Sequence, residues 1–170
     1  MKKLLILGAG GYGKTVADVA AQLGYDEIRF LDDGRAGPDI LGKCDEYSKF
    51  LDSDTEIYPA FGYHAYRMKW LTVFLEKELS VPVLIHPRAY VSPTAKIGVG
   101  TVVLPMAVVN TGVTVQEGCI INIGALVDHD CVIEAGCHLA PGAVVKAENR
   151  IRAGSKIESD IVIQNREYPL

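Results

Sequence analysis

The chain has 170 residues, 49% of them hydrophobic, and a formal net charge of −4. That is enough apolar material for one large core or two small ones, and the mildly acidic balance argues against nucleic acid or an anionic membrane as the main partner. The apolar run behind Lys2 and Lys3 stops at Gly8, too short for a secretory segment, and no run approaches a membrane span, so a cytoplasmic protein is expected.

Residues 3–7 (KLLIL) read as a buried strand. They run into Gly8-Ala9-Gly10-Gly11-Tyr12-Gly13-Lys14 and then a helical pattern through Val16, Val19, Ala20 and Leu23, closed by Gly24. A second strand, Ile28–Leu31, is followed by Asp32 and Asp33. In this order of strand, GxGxxG, helix, strand and acid, the glycines let backbone N–H groups approach an anion at the helix start. The acid can accept from a ribose or sugar hydroxyl. Residues 34–55 read as a polar loop with at most a short helix. A third strand is predicted at 57–62 and a helix over 63–79, from the spacing of Leu71, Phe74, Leu75 and Leu79. Residues 1–82 are therefore expected to form a small Rossmann-like βαβαβ domain. An NAD-dependent enzyme would need a further domain with its own chemistry, and the remainder supplies none.

From residue 85 onward every sixth residue is aliphatic, from Ile85, Val91 and Ile97 through Val127, Ile133 and Leu139 to Ile157 and Ile163. Neither a helix nor a simple strand has that period. A coil of very short strands does, with three hexads per turn and residue n stacked on n+18 at about 4.8 Å. The fourth residue after each aliphatic is mostly small, among them Ala107, Cys119, Ala125, Cys131, Cys137 and Ala143, as a tight corner requires. Residues 83–170 are thus expected to form a parallel β-helix, with its cysteines acting as small hydrophobes. The residue before each aliphatic should face outward. One such row, Tyr90, Val108, Leu126, Val144 and Val162, is entirely apolar and points to a homo-oligomer.

One corner carries chemistry. His129 stands between Asp128 and Asp130, with Asn122 and His138 nearby in sequence. A histidine beside a carboxylate can take a proton from an amine or hydroxyl, although the residues alone fit a solvated corner equally well. His86, His129 and His138 do not fall on one wall, so no metal site is expected. Lys146, Arg150, Arg152 and Lys156 gather on the last coils and would suit a ligand bearing several phosphates.

Together these features resemble the NeuD/PglD-like sugar O-/N-acetyltransferases. The resemblance covers nearly the whole chain. It rests on GAGGYGK at 8–14, FLDD at 30–33, IHPRAYVSPTAKIG at 85–98 and, most specifically, INIGALVDHDCVIEAGCHLAPGA at 121–143. It implies a left-handed β-helix, a homotrimer with active sites between subunits, and acetyl-CoA as co-substrate without a metal. The acceptor would be a sugar or nucleotide-sugar held by the N-terminal domain. By the same resemblance His129 is the general base and Asp130 orients it. The His138 backbone N–H meets the thioester carbonyl, and Asn122 lies on the acceptor side. Gly11, Tyr12, Gly13, Asp32, Asp33 and Gly62 occupy acceptor-binding positions. Lys146, Ala147 and Arg150 fall where CoA packs, with Ala147 replacing a glycine. Tyr12 stands where the family usually has histidine, and Tyr63 and His64 where it tends to have polar amides. The competing expectation is a non-catalytic nucleotide-sugar-binding or scaffold protein.

Overall fold

The computed structural model describes residues 1–170, which divide into two compact units, Met1–Leu84 and Ile85–Leu170. The first unit is built on a parallel sheet of β1 (Lys3–Leu7), β2 (Glu27–Leu31), β3 (Ile40–Gly42) and β4 (Thr55–Pro59), in the order β3-β2-β1-β4. Leu4, Leu5, Ile6 and Leu7 are all buried, because the central strand is covered on both faces and needs no polar alternation. Helix α1 (Gly11–Gln22) buries Val16, Val19 and Ala20 at helical spacing, and α2 (His64–Glu76) buries Arg67, Leu71 and Phe74.

One element departs from expectation. The stretch read as a loop with at most a short helix contains such a helix, of the 3-10 type, over Cys44–Phe50, but also β3, which pairs Phe30 with Ile40 and Leu31 with Gly42. A three-residue strand ending in glycine has no readable period. The helix also buries Tyr47, whose ring meets Trp70 and Phe74 edge-on at centroid distances of 5.8 and 5.5 Å.

The second unit is a coil of two-residue strands laid in three parallel sheets. One face holds Lys96–Ile97, Thr114–Val115, Val132–Ile133 and Arg150–Ile151. The next stacks Leu84–Ile85 through Lys156–Ile157, and the third Tyr90–Val91 through Val162–Ile163. The register is n to n+18 throughout, as in Leu126 on Val144 and Ile120 on His138. The second residue of each strand is the aliphatic one, and those from Val103 to Ile151 are buried in a single column with the small corner residues. Each buried aliphatic contributes roughly 1.5–3 kcal/mol.

The corners have a second regularity that the sequence reading did not anticipate. From Gly100 to Arg166, every sixth residue has positive φ. Glycine holds seven of these positions, while Met106, Asp130, Glu148, Asp160 and Arg166 hold the others. Of the outward rows, Leu84, Val102 and Ile120 are buried, whereas Tyr90, Leu126 and Val162 remain exposed.

Candidate active site

His129 sits at the corner that follows the Leu126–Val127 strand. Its Nδ1 lies 2.8 Å from Asp130 Oδ2, and its backbone N–H donates to Asp128 Oδ1 at 2.8 Å. Asp128 is itself held from the coil below by Asn110 Nδ2 at 3.1 Å. With a carboxylate on Nδ1, that nitrogen carries the proton, leaving the Nε2 lone pair on a half-exposed ring. The hydrogen bond that Nδ1–H donates to Asp130 raises the His129 pKa above its ordinary value. Desolvation opposes that rise, and the charges of Asp128, Asp130 and Glu148 add to it.

The backbone explains why this pair forms. Asp130 takes the left-handed corner conformation, φ +57°, which aspartate tolerates better than most residues. Its carboxylate leans over Gly112 on the coil below. A Cβ on Gly112 would come within 2.4 Å of Asp130 Oδ1, so a side chain there would push the carboxylate from this position.

Asn122 and His138 also meet, with Asn122 Nδ2 3.0 Å from His138 Nε2. They belong to the Ile120–Ile121 and His138–Leu139 sheet and its corner, not to the His129 corner. The His138 backbone N–H, expected to meet a thioester carbonyl, instead donates to the Ser155 carbonyl at 2.9 Å. Outward-facing residues of the coil spend their N–H groups on the next coil, so this position presents a side chain rather than an amide.

The basic residues separate. Arg150, Arg152 and Lys156 line a cleft of about 460 Å³ with Ser155 and Tyr168. Arg150 is also paired with Glu134 at 3.0 Å. Lys146 stands on another corner, its Nζ 2.6 Å from Gln164 Oε1, and Ala147 is buried, its carbonyl accepting from the Arg166 N–H. Lys146 and Ala147 therefore do not join Arg150 in one site: Lys146 is directed to Gln164 on the next coil, and neither residue lines the Arg150 cleft. No group of three or more His, Cys, Asp or Glu side chains is arranged to hold a metal ion.

In the first unit Gly8, Gly10, Gly11, Tyr12, Asp32, Arg35, Phe61, Gly62, Tyr63 and Tyr66 line a cleft of about 420 Å³. The glycine turn is sterically fixed, since a Cβ at Gly13 would lie 1.9 Å from the Gly8 carbonyl oxygen. Gly13 thus shapes the loop without lining the cleft. Asp32 is largely committed within the chain. It accepts N–H groups from Ala9 at 2.8 Å and from Gly34 and Arg35 at 2.9 Å. Desolvation works against its ionisation, but these donors outweigh it and its pKa is lowered. Asp33 does not line the cleft; it accepts from the Cys44 N–H at 2.9 Å and pins the 3-10 helix.

Arg35 and Arg67 were not singled out from sequence. Arg35 borders this cleft and an adjoining one of about 460 Å³ that also contains Lys14, Phe30 and Pro38. Arg67 is fully buried and donates to the Phe61 and Gly62 carbonyls at 2.8 and 3.1 Å, holding the loop that bears Gly62. Its position in an amphipathic helix pattern looks like an ordinary surface arginine, and only the fold brings those carbonyls to it.

Comparison with known proteins supplies the family. The PglD N-terminal domain family matches residues 3–74. The acetyltransferase domain of PglB from Neisseria gonorrhoeae FA1090 is 37% identical, with a TM-score of 0.86 over 95% of this chain and 88% of that one. PerB from Caulobacter crescentus, solved with CoA and GDP-perosamine, is 25% identical, with a TM-score of 0.81 over 98% of this chain and 87% of that one. WeeI from Acinetobacter baumannii AYE shares the fold at 18% identity and a TM-score of 0.79, over 96% of this chain and 92% of that one. The second unit is thus a left-handed parallel β-helix that follows a small α/β domain in the chain. The chain belongs to the NeuD/PglD-like family of sugar O-/N-acetyltransferases and is an acyltransferase.

Proposed function

We propose that the protein transfers an acetyl group from acetyl-CoA directly to an amino or hydroxyl group of a sugar or nucleotide-sugar, with His129 as general base. The observation that carries this is the His129–Asp130 pair, with Nδ1 tied to a carboxylate at 2.8 Å and Nε2 unpaired. The acceptor N–H or O–H gives its proton to Nε2 while its nitrogen or oxygen attacks the thioester carbonyl. The tetrahedral intermediate collapses as the C–S bond breaks, and the imidazolium returns the proton to the leaving thiolate. No covalent enzyme intermediate is needed.

The first-unit cleft of Gly11, Tyr12, Asp32, Arg35 and Gly62 holds the acceptor, and the Arg150, Arg152 and Lys156 cleft takes the CoA phosphates. The PglB domain was also solved with acetyl coenzyme A, and PerB with CoA and GDP-perosamine, which supports a CoA thioester donor and a nucleotide-sugar acceptor as the ligand classes. The active assembly is a homotrimer in which Asn122 and His138 of one subunit face His129 of the next, driven by burial of the exposed Tyr90, Leu126 and Val162 row. The reaction belongs in the cytoplasm, where cysteines stay reduced; all four here are free.

The test is CoA-thiol release from acetyl-CoA against UDP- and GDP-linked amino-sugars and free sialic acid. His129→Ala is expected to lose roughly 10²–10⁴-fold in turnover with its oligomeric mass unchanged. Undiminished turnover in that variant removes the base assignment.

A further inference from the structure

We infer that Glu148 and Arg166, one and two coils beyond Asp130, are positioning residues for the His129–Asp130 pair, held in place by segment 164–170. This rests on His129 being the base.

The geometry is a single column. Gly112, Asp130, Glu148 and Arg166 share one corner position, and all four have positive φ. The Glu148 N–H donates to the His129 carbonyl at 3.1 Å, so the two corners are joined directly. The Glu148 carboxylate is bridged by Arg166 Nε. Asp130, Glu148 and Arg166 line one small open cleft of about 220 Å³ together with Pro169 and Leu170.

Arg166 is placed by a built anchor. Asn149 is fully buried although polar, and its amide group is used on both sides. Its Nδ2 donates to the carbonyls of Lys146 at 2.8 Å and Gln164 at 2.7 Å, and its Oδ1 accepts from the Tyr168 N–H at 2.7 Å. The Arg150 N–H donates to the Tyr168 carbonyl at 2.7 Å. A buried amide so satisfied fixes the segment on either side of Arg166.

The charged groups around His129 can be counted coil by coil. Its own corner supplies Asp128 and Asp130, and the coil below presents Asn110, Thr111 and Gly112, none of which titrates. The coil above supplies Glu148 and Lys146, the latter directed to Gln164. Glu148 adds to the field that favours the imidazolium, and its bond to Arg166, the main cause of its own lowered pKa, keeps it ionised and partly neutralised. The pair thus sets how much negative charge the base feels without touching substrate.

The experiment follows His129 in two ways in the intact protein: the pH profile of kcat/KM, and an NMR titration of the His129 Cε1–H. Glu148→Gln removes a negative charge, so both midpoints should move to lower pH. Arg166→Gln leaves Glu148 unneutralised, so both should move to higher pH. The double variant should fall between them. Opposite displacements are not produced by a merely structural role, which would lower kcat at an unchanged midpoint. Midpoints equal to wild type in both single variants, or moving in the same direction, overturn the inference. If the NMR midpoints move as stated while kcat/KM shows no matching limb, the electrostatic coupling to His129 stands, but the base assignment falls and takes the catalytic positioning role with it.

Discussion

Replacing Asp130 with Asn keeps the shape of the side chain and removes its charge. The raised pKa of His129 is caused first by the Asp130 hydrogen bond. As the proposed base, His129 must be neutral to act, so activity in the native protein should rise with pH through a midpoint above the ordinary histidine value. Asp130→Asn should move that limb to lower pH and reduce turnover at least about tenfold, because the orienting partner is weakened. A full pH–rate profile checks both; an unmoved limb counts against the pairing. The histidine and its flanking acids were legible in the sequence. The bare Gly112 beneath them was not, since its meaning depends on residue 130 stacking on residue 112.

Among the elements, the corner that carries Asn149 is the most informative. Its hexad neighbours fill the same inward position with small apolar groups such as Cys131 and Ala143. There an asparagine reads as a tolerated interruption. The structure gives it hydrogen bonds to segment 164–170, which no local pattern predicts. Asn149→Ala should cost about 2–3 kcal/mol, because buried carbonyls and an N–H lose their partners. Thermal unfolding measures the loss, and limited proteolysis should find segment 164–170 newly accessible. A melting temperature within error of wild type would contradict this. The basic residues teach the converse: Lys146 and Arg150 look like one cluster in sequence, yet the fold turns Lys146 to Gln164 and sets Arg150 in the cleft with Ser155 and Tyr168.

For the whole molecule, the hexad signal was readable because side chains on a pleated chain alternate, and each short wall must bury one aliphatic residue. The existence of β1, β2 and β4 followed from pattern as well, their order in the sheet only from the fold. The short β3 and the buried Arg67 depend on contacts between residues distant in sequence. The exposed apolar row makes a claim about assembly. Leu126→Asp should convert the proposed trimer to monomers by light scattering and abolish turnover while circular dichroism keeps its native form; an intact, active oligomer would refute the shared seam.

The n to n+18 register has a consequence for how such a chain can change length. Losing a single residue ahead of His129 turns every later side chain inside out, sending aliphatics to water and charges to the axis. Losing one complete circuit merely shortens the column and leaves each remaining group facing as before. The molecule therefore grows or shrinks in whole storeys, and the separation between its imidazole and the arginine two floors above comes in fixed steps.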